Sequence, residues 1–204
     1  MRGLFYSNKA VPLMLLAAAI AVSGCSTEVT RMDAGVVKDL SGAWNDTDSQ
    51  QVSVEMVKDV MSRDWLSEFT QAHKRQPTVI VGGIRNLSDE HINVNTFVSA
   101  IERELINSDK VQFVASSTDR KEIREERKDQ DINASEATRK AMGAEQGADF
   151  MLKGTINSII DVSGRTQLRY YQVDLTLISL VDNRVVWVGQ KKIKKLVERS
   201  NLRF

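Results

Sequence analysis

The sequence predicts an α/β protein: a single compact domain with a mixed sheet of four to five strands flanked by helices. Three observations predict it. Apolar residues recur at three- and four-residue steps between residues 53 and 76 and again between 95 and 105, as in amphipathic helices. Short β-branched runs at residues 78–84 and 111–114 have the composition of buried strands. From residue 150 onward, apolar and polar residues alternate at period two, the code of a sheet with one buried face. The chain has 204 residues, 42% of them hydrophobic and 27% charged, an ordinary globular composition. Its formal net charge of +1 gives no electrostatic footprint for gripping nucleic acid.

The first 24 residues read as an address. Arg2 and Lys9 precede an apolar run over residues 10–22, and small Ser23 and Gly24 follow. This is the layout of a secretory signal peptide. The run is shorter than the ~20 residues that a spanning helix needs, and Pro12 weakens a permanent helix there. Residues 22–25 (VSGC) resemble a bacterial lipobox. The resemblance implies cleavage before Cys25 and a diacylglycerol on its thiol, which anchors the chain to a membrane. Ser26, rather than Asp, then implies sorting to the outer membrane. The other reading is a plain signal peptide followed by an incidental cysteine. Cys25 is the only cysteine, so there is no internal disulfide and no cysteine-built zinc site.

Residues 25–51 are polar with few apolar side chains and read as the lipidated N-terminus and a tether, with Val36, Val37, Leu40 and Trp44 able to dock on the domain. The domain is expected over 52–198, with 199–204 as a tail. Val54, Val57, Met61, Trp65 and Phe69 form one stripe on a single helix that ends before Pro77. Residues 78–84 (TVIVGGI) form a strand whose Gly82-Gly83 pair marks a bulge or tight exit. Residues 86–91 are a polar loop. Asn95 caps a helix facing inward through Phe97, Val98, Ile101 and Leu105, and residues 111–114 give a second strand. Residues 119–131 are charged at eleven of thirteen positions and form a solvated helix held by weak i,i+4 pairs. Asn133 and Glu136 have capping-box spacing for a further helix through Ala137, Ala141 and Met142 to residues 143–147. Residues 150–162 and 167–179 are strands joined by a turn at Ser163-Gly164. The second of them carries Tyr171, Val173, Leu175 and Leu177 inward. Asp182-Asn183 turns the chain into a last strand at 185–189. The count is five strands and four helices.

The search for chemistry returns little. His73 and His91 have no carboxylate or cysteine at ligand spacing, so both read as surface residues and no metal site is expected. Phosphate-loop, nucleophile-elbow and zinc-helix motifs are absent. Carboxylate pairs such as Asp89-Glu90 are adjacent in sequence and sit in polar stretches, with no hint of the cleft and spacing that a glycosidase pair needs. No catalytic residue and no cofactor is assigned. The basic run 191–195 (KKIKK) reads as the solvated rim of the last element, with contact to anionic lipid or an acidic partner as the alternative. Arg169, Tyr170 and Gln172 are placed out of phase with the apolar set. Exposed Arg and Tyr are common interface anchors, which makes these three the candidate partner contacts.

The lipobox, the polar tether, residues 139–152 (RKAMGAEQGADFML), 170–175 (YYQVDL) and 185–189 (VVWVG) with the basic tail together resemble the LpoB family of penicillin-binding protein activators, over about residues 32–197. The resemblance implies a fold like the N-terminal domain of TolB. It also implies an outer-membrane lipoprotein that faces the periplasm, docks on a class A penicillin-binding protein and stimulates peptidoglycan synthesis. Such a protein has no catalysis or cofactor of its own and is expected to be a monomer. The tether here is shorter than the family's long, proline-rich type and holds no proline. The alternative is a structural or assembly lipoprotein related in fold to the curli secretion lipoprotein, which predicts a defined homo-oligomer. A third reading, a cell-wall hydrolase, requires converging carboxylates in a cleft.

Overall fold

The computed structural model describes residues 28–33, 35–140, 142–143 and 145–198; the expected signal peptide, Cys25, Ser26 and residues 199–204 lie outside them. By its contacts the chain divides into residues 1–36 and residues 37–204. The described part of the first holds a turn in which the Val36 N–H donates to the Asp33 carbonyl (3.1 Å). The second contains every helix and strand described below.

Helix α1 (Asp46–Val60) starts inside the stretch read as tether. Asn45 accepts the Asp48 N–H, and the Asp48 carboxylate accepts the Asn45 N–H, both at 3.0 Å. This is a capping box spelled with Asn and Asp. The single helix expected to reach Pro77 is instead two, because the chain breaks at Met61 and restarts as α2 (Asp64–His73). The break is stabilised locally: the Trp65 indole N–H donates back to the Val60 carbonyl (2.8 Å), and the Ser62 hydroxyl to the Asp59 carbonyl (2.7 Å). The same two carbonyls also accept the Ser62 N–H (3.0 Å) and the Arg63 N–H (3.4 Å), so the exposed end of α1 is closed by backbone and side chain together. The bend buries both Met61 and Trp65 and leaves Val54 exposed. Lys74, in the left-handed region at φ +55°, ends α2.

β1 (Thr78–Asn86) is followed by α3 (Val94–Asn107), β2 (Gln112–Phe113) and α4 (Ser117–Asn133). The cap of α3 is Asn93, not Asn95: its side chain accepts the Asn95 N–H (3.1 Å). α3 buries Phe97, Ala100, Ile101 and Leu105, whereas α4 buries no residue at all, as its charge pattern predicts. Among the described residues the helix expected after Asn133 does not form, and Ala141 lies outside them. Ser135 instead closes a turn, its carbonyl accepting the N–H groups of Thr138 and Arg139 (both 3.0 Å). Its hydroxyl lies 2.8 Å from that of Thr138. Short polar side chains offer the backbone this alternative to a helix, and Gly143 at φ +81° turns the chain further. Glu145 then pairs with Arg124 of α4 through two 2.7 Å bonds.

Three long strands complete the fold: β3 (Phe150–Ser163), β4 (Thr166–Ser179) and β5 (Val185–Glu198). The sheet order is β2-β1-β3-β4-β5. β1 pairs in parallel with β2 and β3, and the β3–β4 and β4–β5 pairs are antiparallel. Gly82 and Gly83 stand opposite a single β3 residue, where the register shifts between Val81 and Ile84. They form the expected bulge. A Cβ on Gly82 would lie 2.8 Å from the Met151 sulfur. The last strand runs nine residues past Gly189, so the basic run lies within it. The core sits on one side of the sheet: α1 and α3 supply Val52, Val60, Phe97 and Ile101, which meet Val79, Leu152, Val173 and Leu177.

Candidate functional site

β4 shows how the sheet divides into two faces. Its odd residues Tyr171, Val173, Leu175 and Leu177 are fully buried against the helices. Its even residues look the other way, and each row continues across three strands. Ile159, Tyr170 and Lys194 form one row, and Asn157, Gln172 and Lys192 the next. Thr155, Asp174 and Gln190 form a third, while Leu168 and Leu196 sit beyond the first. Ile159, Val188 and Leu196 are each more than 60% exposed on this side, so the face is open.

Its polar side chains are tied to each other rather than to solvent alone. The Tyr170 hydroxyl donates to Gln172 Oε1 (2.9 Å), Gln172 Nε2 to the Asp174 carboxylate (2.9 Å), and Gln190 Nε2 to the same carboxylate (2.8 Å). The Lys194 ammonium stands 5.9 Å from the Tyr170 ring centroid. Contacts along β4 and across to β5 together order this surface before anything binds to it. The result is a preformed patch of Tyr170, Ile159, Leu168 and Leu196 beside the cations Lys192 and Lys194, which form no ion pair among the described residues.

Of the three expected contacts, Tyr170 and Gln172 lie on this face and Arg169 does not. Arg169 is odd, in phase with Tyr171, and its guanidinium turns inward to Glu90 (2.5 Å). Counting in twos from Tyr171 reaches the same answer. Glu90 is the hub of the covered end of the sheet. It also accepts the Tyr171 hydroxyl (2.6 Å) and the Trp44 N–H (3.2 Å). Burial, and then the bond to the Glu90 carboxylate, push the Tyr171 phenol well above its ordinary pKa. Trp44 stands edge-on to Phe97 and Tyr171, with ring centroids 6.1 and 5.6 Å away, and its indole N–H donates to Ser49 (2.8 Å). So Trp44 docks, while Val36, Val37 and Leu40 remain exposed.

The basic run splits by parity. Lys191 and Lys195 point to the covered face, Lys191 onto Glu55 and Lys195 onto both Asp39 (2.7 Å) and Asp48 (2.6 Å). Burial lowers the Lys195 pKa, but the two carboxylates outweigh it and hold the ammonium above its usual value. The Lys195 hydrogen bond holds Asp39 below the ordinary carboxylate range. Among the described residues, no group of three or more His, Cys, Asp or Glu could hold a metal. His73 stacks on Phe69 at 4.1 Å, and His91 is exposed. No described helix is long and apolar enough to cross a membrane.

The family model described as peptidoglycan-synthase activator LpoB matches residues 48–193. The chain belongs to the LpoB family. Members of that family are regulatory activators of peptidoglycan synthesis that act with penicillin-binding proteins, and the family suggests a periplasm-facing envelope lipoprotein. Among solved structures, the C-terminal domain of Escherichia coli LpoB is similar at 12% identity and TM-score 0.45, over 72% of this chain and 99% of that one. The C-terminal domain of Salmonella enterica LpoB is similar at 16% identity and TM-score 0.34, over 66% and 93%. Lipoprotein GNA1162 of Neisseria meningitidis is similar at 15% identity and TM-score 0.39, over 61% and 87%. No curated protein matches the chain. Sequence reasoning missed Glu90, which no pattern in its polar loop distinguishes, and the double role of Lys195, which the alternation of residues 191–195 on a strand would have revealed.

Proposed function

We propose that this protein is a non-catalytic outer-membrane lipoprotein, anchored through Cys25 and sorted by Ser26, whose domain binds a class A penicillin-binding protein and raises its rate of peptidoglycan synthesis. The observation that carries the reading is the family match over residues 48–193. The open sheet face supplies the contact: Tyr170 and Gln172 at its centre, Lys192 and Lys194 beside them. Large aromatic side chains held in place by their neighbours lose little entropy on binding, which suits them to anchor an interface. The docked domain acts as a monomer. The test is polymerisation of lipid II by a purified class A synthase, with and without this protein. Stimulation of several-fold is expected, with more than a tenfold loss of apparent affinity for Tyr170→Ala at unchanged melting temperature. An unchanged polymerisation rate rejects the function; full stimulation by Tyr170→Ala rejects the face. Mass spectrometry of the N-terminal peptide checks the anchor, and a free Cys25 thiol overturns it.

A further inference from the structure

The three long strands outrun the core. Going toward the β3–β4 turn, the last buried residues are Ile156 in β3, Tyr171 in β4 and Gly189 in β5. Beyond them lie seven, five and nine residues of strand, none of them buried. β3 and β5 both run antiparallel to β4, so all three overhangs point the same way. They end at the turn of Gly164 and Arg165 and, on β5, at Glu198.

A ribbon clear of the core has no dry face of its own, yet this one stays apolar on both. Leu168 and Leu196, partners in one row, are 36% and 63% exposed on the open face. Val162 is 61% exposed on the other, because it pairs with Gln167, in phase with Tyr171. A protein partner laid on one face would leave the other wet, whereas a medium into which the tip dips covers both together. The boundary between headgroups and acyl chains of a bilayer is such a medium, and it takes in apolar groups to a depth of about 5–10 Å. At about 3.3 Å per residue, that depth spans the last two or three residues of each strand. Those are the residues just named.

The route of the chain brings a bilayer to this end. Asp39 is bound to Lys195 (2.7 Å), and Gly42 lies against Val197 and Arg169, so the chain enters the domain along the overhang. Cys25 stands 14 residues before Asp39, a reach of at most about 50 Å when fully extended. An anchor at Cys25 keeps the tip at high local concentration beside the lipid, where a contact too weak to form from solution is occupied. Arg165, exposed in the turn, is placed to meet headgroup phosphates. Asp161 shares the row of Leu168 and Leu196 and opposes insertion.

We infer that the tip of this ribbon, with Val162, Arg165, Leu168 and Leu196, inserts into the phospholipid surface of the membrane that carries the anchor. The inference rests on the anchor of the proposed function but not on its synthase. Tyr170 stands four residues behind Thr166, roughly 13 Å from the tip, so the open face around it stays clear of the lipid.

The test takes the chain from Cys25 onward and couples its thiol to a maleimide lipid in a nanodisc of phosphatidylethanolamine and phosphatidylglycerol. The result then does not depend on lipidation in the cell. A spin-labelled lipid broadens methyl signals that lie near the bilayer. The methyls of Val162, Leu168 and Leu196 are expected to broaden at least fivefold more than those of Leu180, Val181 and Val185 at the far end of the sheet. Val162→Asp with Leu196→Asp should bring Leu168 down to the far-end level at an unchanged melting temperature. Arg165→Glu should lower the broadening about twofold, and Asp161→Asn should raise it. Equal broadening at both ends overturns the proposal. So does broadening of Leu168 and Leu196 that spares Val162, which marks a lateral contact through the open face.

Discussion

Tyr170 and Tyr171 are neighbours in sequence with opposite surroundings. Tyr171 is wholly buried, its hydroxyl held by Glu90, its ring against Trp44. Tyr170 is half-exposed, its hydroxyl bonded only along its own strand and its ring beside Lys194. One strand to the side, Lys195 and Lys194 repeat the contrast: the first clasps two carboxylates and the second none. The pleat alone sorts each pair: the covered member holds the fold, while the open member looks outward.

The comparison can be broken by substitution. Lys195→Met should cost the most, about 3–5 kcal/mol, because it leaves the nearly buried Asp48 carboxylate without its cation; urea unfolding measures it. Leu175→Ala should cost a comparable ~2–5 kcal/mol through the cavity it leaves. Tyr171→Phe removes one donor from Glu90 but leaves Arg169 in place, for about 1–3 kcal/mol. Tyr170→Ala and Lys194→Ala should stay within ~0.5 kcal/mol of the parent, with their effect confined to synthase stimulation.

Acid and base sharpen the same point from the covered side. Asp149 accepts two 2.7 Å bonds from Arg75 and one of 2.8 Å from the Thr78 N–H. Burial raises its pKa, but these partners outweigh that and hold the carboxyl below the ordinary carboxylate range. Asp39 is lowered as well. Their stabilisation is fully present above pH ~4 and is lost as pH falls through the lower folded values. Lys195 is raised above 10.5, so its contribution is complete below that pH and fades as pH climbs through the folded value. Asp149→Asn should flatten the acid limb of a stability-against-pH curve, and Lys195→Met the alkaline limb. Neither should alter the open face around Tyr170.

The sheet's C-terminal half was legible because period-two alternation is strong in long strands with one dry face. The alternation of Tyr171, Val173, Leu175 and Leu177 located the core side of β4, and the same count, carried two residues back, assigns Arg169 to it. The helices were harder. Asn45 and Asp48 make a capping box in letters less familiar than Ser and Glu, so the start of α1 passed for tether. The break between α1 and α2 depends on the Trp65 indole finding the Val60 carbonyl, a contact that no periodicity encodes. The capping-box spacing at Asn133 misled because Ser135 and Thr138 satisfy the backbone in a turn instead. The open face was half legible: Tyr170 and Gln172 followed from parity, but the split of the lysine run required knowing that residues 191–195 are strand.

Lys195 joins a strap at residue 39 and a helix start at residue 48 to the final strand. Contacts across sequence separations of 156 and 147 residues carry a large loop-closure entropy, which must be met before they add stability. Without β5, β4 has no outer neighbour and the strap at residue 39 loses the ammonium that holds it. The domain therefore closes only once β5 is in place, whatever order the other elements form in.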